Sequence, residues 1–225
     1  MSKVDDYRNT SDCPRLSGVT EEKAKLEKRI HENHPRVEVF YNKINNKSEQ
    51  YFKDFLRLYN NKCAYCGVKI GILDIRLVEI DHYICKSSFS NDKSGRIQAG
   101  KVSNLILACY SCNHNKGSYL IKSTHRSLLN PDDGSIANVF QRNEDYYICV
   151  CEKYAHDRDV MLFYNTLMLG GQEKRLDYLL LEMFHLANRM KGHREDLSIR
   201  LEQCFGLLLR KRNATFTFLK KEERN

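Results

Sequence analysis

Nine cysteines stand in this 225-residue chain, and four of them form two close pairs, Cys63-Ala-Tyr-Cys66 and Cys109-Tyr-Ser-Cys112. A C-x-x-C step lets two thiolates reach one ion, and two such steps complete a tetrahedral four-sulfur site. That arrangement leaves no coordination position open for a substrate, so the Zn²⁺ it predicts is structural. The other common use of C-x-x-C, thiol–disulfide exchange, needs one pair rather than two pairs bracketing further reactive residues. The other cysteines form no second metal set: Cys149 and Cys151 alternate as core residues of a strand would, Cys13 and Cys204 are isolated, and Cys85 lies close to the candidate site.

Between the pairs runs Val78-Glu79-Ile80-Asp81-His82-Tyr83, then Asn104, and directly behind the last cysteine come Asn113, Lys116 and Gly117. Phosphodiester hydrolysis requires a deprotonated water, a neutralised leaving oxygen and a phosphate held in line. An imidazole titrates near neutrality and suits the base, which assigns that role to His82. A carboxylate and an amide oxygen are hard ligands for Mg²⁺ or Mn²⁺, an ion that keeps several waters and takes phosphate oxygens. Asp81 and Asn113 supply them. Taken singly, each residue has a plainer use: an Asp-His pair on the surface, an Asn capping a helix. A zinc finger that only binds would also use the four cysteines.

In their order, C-x-x-C, Ile80-Asp81-His82, Asn104-Leu105 and Cys109-x-x-Cys112-Asn113-x-x-Lys116-Gly117 resemble the HNH nuclease family. The resemblance implies a ββα-metal motif, two short strands and a helix around one divalent ion, braced by four cysteines. It implies that His82 is the general base, Asp81 and Asn113 the metal ligands, and that Asn104 positions the loop and the base. Cleavage to a 3′ hydroxyl and a 5′ phosphate follows from the same likeness. Members often carry Pro two or three residues after the His, where this chain has Tyr83-Ile84-Cys85.

These residues need elements to hold them. The sequence predicts strands at 76–81 and 104–108, a helix from Asn113, and a loop over 84–103. Within that loop, Gly95 to Val102 comes near a P-loop, but Val102 stands where the Mg²⁺-binding hydroxyl belongs and no strand precedes it. Lys86, Lys93, Arg96 and Lys101 there, with Lys116, are expected to contact phosphates. Phe52, Phe55, Leu56 and Tyr59 share one stripe of a core-packed helix over 49–59. Residues 21–32 read as a solvated helix with pairs such as Glu21 and Lys25.

The turn signal Asn130-Pro-Asp-Asp-Gly134 separates a strand at 145–151 and two amphipathic helices, 172–190 and 195–210. Leu176, Leu179, Leu180, Met183 and Ala187 stripe the first helix; Leu197, Leu201, Cys204 and Leu208 stripe the second. The expected architecture is α+β: a zinc-stapled ββα core at 48–125, a polar helical extension at 1–47, and an α/β, mostly helical extension at 126–225.

Lys and Arg outnumber Asp and Glu by 37 to 29, a net charge of +8, which suits double-stranded DNA as a partner. The polar segment Met1–Arg15 has no signal-peptide core, and no run of 18 apolar residues occurs, so the expected location is the cytosol, with no membrane partner. Thiols stay reduced there, which again favours zinc over disulfides. Residues 137–210 resemble, more loosely, the C-terminal part of HNH proteins that accompany an ATPase in anti-phage systems such as Septu. Ile80-Asp-His-Tyr-Ile-Cys-Lys-Ser87 and Thr166-Leu-Met-Leu-Gly-Gly171 followed by Arg175 add to it. That likeness implies an ATPase partner, and helices 172–190 and 195–210 are expected to dock it. A stand-alone restriction or homing-type nuclease is the alternative.

Overall fold

The computed structural model describes residues 6–11, 16–70, 72, 74 and 77–222, with side chains as far as Ala214. Cys13 and Arg76 lie outside the described residues, as do the side chains of Lys220, Lys221 and Arg224.

Two five-residue strands stand at the centre. Strand β1 (Val78–His82) pairs antiparallel with β2 (Leu105–Cys109), with Ile80 opposite Leu107 and His82 opposite Leu105. Every residue of β2 is buried, as its unbroken apolar run requires. Helix α5 (Tyr110–Lys116) follows at once, and the Cys109 thiol caps it by accepting from the Cys112 N–H. The helix thus starts three residues before the Asn113 expected to open it, because its first turn is built on the zinc cysteines.

The connection between the strands, expected to be loop, contains helix α4 (Lys93–Ala99). Asp92 caps it by accepting from the Gly95 N–H at 2.7 Å, a signal hidden among Ser, Lys and Gly.

Three N-terminal helices cover this unit: α1 (Val19–Asn33), α2 (Tyr41–Ile44) and α3 (Gln50–Leu58). Helix α3 buries Phe52, Phe55 and Leu56, as its stripe predicts. Helix α1 differs from the solvated helix expected: Val19, Lys23, Leu26 and Ile30 are buried, and Lys25 pairs with Glu22 rather than Glu21. Its apolar positions fall at i, i+7 and i+11, a narrow stripe that surrounding charges conceal. Lys23 makes a buried ion pair with Asp132, which also accepts from the Tyr59 hydroxyl at 2.6 Å.

Beyond the 130–134 turn, β3 (Phe140–Arg142) and β4 (Ile148–Val150) form a hairpin where one strand was expected. Tyr146 turns the hairpin in the left-handed region, φ 68°. Helix α6 (Arg158–Thr166), capped by Asp157, follows; α7 (Gln172–Met190) and α8 (Glu195–Glu222) then pack on each other. One buried apolar cluster runs from Tyr7 to Leu169, so Phe140, Ile148, Val160 and Phe163 complete the core of the strands. Among the described residues, no helix is long and apolar enough to cross a membrane.

Candidate active site and zinc centre

The four sulfurs of Cys63, Cys66, Cys109 and Cys112 are buried and lie within 4.8 Å of one another. Around a Zn²⁺ with bonds near 2.3 Å, tetrahedral geometry sets sulfurs about 3.8 Å apart. Cys66 and Cys109 sit at 3.8 Å. The donor set therefore fits zinc. Hydrogen bonds among the four thiols draw Cys109 well below its ordinary value and push Cys66 and Cys112 well above theirs, as expected of close thiols sharing protons.

The first knuckle is locked from two sides. Ala64 N–H donates to the Leu107 carbonyl at 2.8 Å, tying it to β2. Buried Arg8 donates to the carbonyls of Ala64 and Pro131 and pairs with Asp6 at 2.8 Å. Gly67 ends the knuckle at φ 80°, and a Cβ there would lie 2.7 Å from the Arg8 backbone, so only glycine fits.

A contribution with no sequence signal comes from α7. Lys174, 2% exposed, brings its Nζ to 3.8 Å from the Cys109 sulfur and 3.0 Å from the Ser111 hydroxyl. Burial alone would push this ammonium down, but the thiols of Cys112, Cys109 and Cys66 outweigh it and hold it well above the usual lysine value. A four-thiolate zinc site carries net negative charge, which this lysine offsets.

The strand and helix then present the reactive groups. Glu79 and Asp81, two apart on β1, meet Asn113 and Lys116, three apart on α5, so the two periodicities coincide. Asn113 donates through Nδ2 to Glu79 at 2.6 Å, which leaves its amide oxygen free for a cation. Asp81 accepts from Lys116 Nζ at 3.0 and 3.1 Å and from the Tyr65 hydroxyl at 2.7 Å. Burial raises its carboxyl above the ordinary range despite these partners. Asp81, His82 and Asn113 line one open cavity of about 350 Å³, together with Tyr41, Cys85 and Lys86. A carboxylate oxygen with a remaining lone pair and an oriented amide oxygen at one cavity suit a hard divalent ion.

Lys116 differs from the phosphate contact expected of it. It is 2% exposed, and its ammonium is spent on Asp81 and on the His82 carbonyl at 2.7 Å. It holds the strand end; it does not face solvent. Lys86 is exposed at the cavity mouth, its Nζ 4.5 Å from the centre of the Tyr41 ring. Arg96 is exposed on α4 and Lys101 half-buried just beyond it.

His82 is 8% exposed and lies against Tyr41, ring centres 4.6 Å apart. Burial, with Lys86 and Lys116 nearby, pushes its pKa down to about 4, so the ring is neutral at physiological pH. Asn104 pins the chain behind it: its carbonyl accepts from Tyr83 N–H, its Oδ1 from Ile84 N–H at 2.9 Å, and its Nδ2 donates to the carbonyls of Ile84 and Ala99. A proline at 84 would lack the N–H that Asn104 engages here. Tyr41 and Tyr65 were not singled out from sequence. Tyr65, between two zinc cysteines, had a legible position; Tyr41, forty residues upstream of Asp81 and His82, had none.

Two antiparallel strands and a helix, braced by four thiols and carrying an Asp-His pair opposite an Asn, define a ββα-metal nuclease domain. Residues 63–119 match the HNH endonuclease family, and this segment is an HNH endonuclease domain. The chain is also 31% identical over 103 residues to YoqL of Bacillus subtilis (strain 168), an SPbeta prophage-derived protein named as a candidate HNH endonuclease. The similarity covers 46% of this chain and 39% of YoqL, so the chain spans well under half the length of that relative. No solved structure matches.

Proposed function

We propose that this protein is a metal-dependent endonuclease that hydrolyses phosphodiester bonds of double-stranded DNA. The observation that supports this most is the shared cavity of Asp81, His82 and Asn113 on a zinc-braced ββα domain. His82, neutral and braced by Tyr41, takes a proton from the attacking water. Asp81 and Asn113 hold Mg²⁺ or Mn²⁺, and Glu79 keeps the Asn113 oxygen turned to it. A bound divalent ion supplies charge stabilisation at the leaving 3′ oxygen. Asn104 acts through the backbone at 83–84, fixing where the imidazole stands, and Lys86 faces the incoming phosphate. Arg96 and Lys101 extend the basic surface for the flanking strand.

The test is plasmid cleavage by the full chain with Mg²⁺, with Mn²⁺ and without added cation, beside His82→Ala. Loss of a general base costs about 10² to 10⁴ in rate. Wild-type-like cleavage by a folded, zinc-loaded His82→Ala protein would falsify the base assignment.

The finer role is that of a cytosolic effector in an anti-phage system, held by an ATPase partner on the α7–α8 hairpin. It rests on the looser resemblance and on Phe184, Ile199 and Leu207, which stay 48–61% exposed along the hairpin. Co-expression with the neighbouring genes tests it; an adjacent methyltransferase and no co-purifying ATPase favour the stand-alone restriction reading.

A further inference from the structure

His82 and Tyr41 form a ridge with space on both sides. On one side lies the cavity of Asp81 and Asn113. On the other is a second cavity, of about 360 Å³, bounded by the segment 39–42, residues 90–91 and helix α4. Both cavities share Tyr41, His82 and Lys86.

The walls of the second cavity approach one another closely. Gly100 accepts the Tyr41 N–H at 3.2 Å, and a Cβ on Gly100 would sit 2.6 Å from the Val39 side chain. Likewise a Cβ on Gly95 would lie 1.9 Å from the Ser90 carbonyl. The floor is apolar, and the rim is polar. Asn42 and Asn91, both exposed, carry side-chain amides with no hydrogen-bond partner among the described residues, and Arg96 adds a cation.

This combination suits one ligand chemistry. An aromatic ring and an apolar floor accept a planar heterocycle, free amides read its hydrogen-bonding edge, and cations at the mouth take the phosphates joined to it. A base stacked in a duplex has both faces covered and cannot enter a cleft of this size.

We propose that the cavity behind His82 takes one unpaired nucleobase, that of a nucleotide flanking the phosphate at the metal site. The nuclease would then select DNA in which one base beside the cut is unpaired or readily extruded. The idea rests on the nuclease reading for the identity of the neighbouring site, but binding tests it without chemistry.

The experiment compares two fluorescein-labelled DNA hairpins, one fully paired and one with a single unpaired nucleotide, binding the full zinc-loaded chain without added divalent cation. Stacking and edge contacts to one base correspond to about tenfold in affinity, expected in favour of the unpaired hairpin. Asn42→Ala/Asn91→Ala, two exposed positions, should shrink that difference to what stacking on Tyr41 alone supplies and keep the affinity for the paired hairpin. Equal binding of both hairpins by the wild-type chain overturns the proposal, as does a preference undiminished in the double variant. Cleavage with Mg²⁺ is scored separately: its absence with the preference intact would sink the nuclease reading and leave the pocket standing.

Discussion

His82 is the residue whose environment says most about the chemistry. Free imidazole titrates near 6.5, whereas burial under Tyr41 and two nearby lysines hold this one at about 4. A cation bound beside it would push in the same direction. The neutral form therefore persists well below pH 6, and cleavage should show no acid limb at 6.5; kcat/KM against pH should stay level down to about 5. A limb centred on 6.5 would mean that His82 is solvated in the working enzyme. The sign for stability is parallel: the neutral ring contributes fully above pH 6.5, and that contribution is lost as pH falls from 6.5 toward 4. Lys116 allows a second test. Its side chain and that of Asp81 are 0% and 5% exposed. Removing one partner of a buried pair strands the other charge, at a cost of about 3–5 kcal/mol. Lys116→Met should thus lower the melting temperature by many degrees, where a surface phosphate contact would leave it unmoved and only weaken DNA binding.

At the scale of elements, Phe140 and Phe163 put the C-terminal segment inside the nuclease core. Phe163 packs edge-on against Tyr65 of the zinc knuckle, ring centres 6.1 Å apart, and Asp132 neutralises buried Lys23. A chain ending at residue 130 lacks all three and should fail to fold as a zinc-bound monomer. One ending at 170 keeps the whole cluster from Tyr7 to Leu169 and should fold. Circular dichroism and zinc content of the two truncations decide it; equal folding of both would show that the 130–170 segment is dispensable. Legibility follows the same division. The strands around Ile80-Asp81-His82 and Asn104, helix α3 and the long α7 and α8 could be read because each is encoded by a dense local pattern. Helices α4 and α6 could not, since their nine or fewer residues rely on aspartate caps and on packing against distant segments. The four thiols, the Asp-His pair and Asn113 were visible through spacing. Tyr41, Lys174 and the inward turn of Lys116 depend on tertiary placement, which no spacing records.

For the molecule as a whole, the surplus of eight positive charges sets how it meets a polyanion. Each phosphate contact releases counterions, so log affinity falls linearly with log salt. Lys86→Ala should weaken DNA binding across sequences and reduce that slope by about one. An unchanged slope would remove Lys86 from the phosphate path and leave the burden to Arg96 and Lys101.

The placement of Lys174 over the thiol cluster also bears on the order in which the protein is made. All four zinc cysteines leave the ribosome before α7 is synthesised, so the ion can load while its site is still open to solvent. Closure of α7 then buries Lys174 at 3.8 Å from Cys109 and covers the thiol cluster on that side. The finished protein should release zinc to a chelator slowly, through opening of α7, and Lys174→Ala should speed that release without changing the one-to-one zinc content. Equal release rates would mean the ion escapes by another path. With α7 closed, newly made chains exchange metal with the cell far faster than finished ones, so a copy largely keeps the ion it captured during its own synthesis.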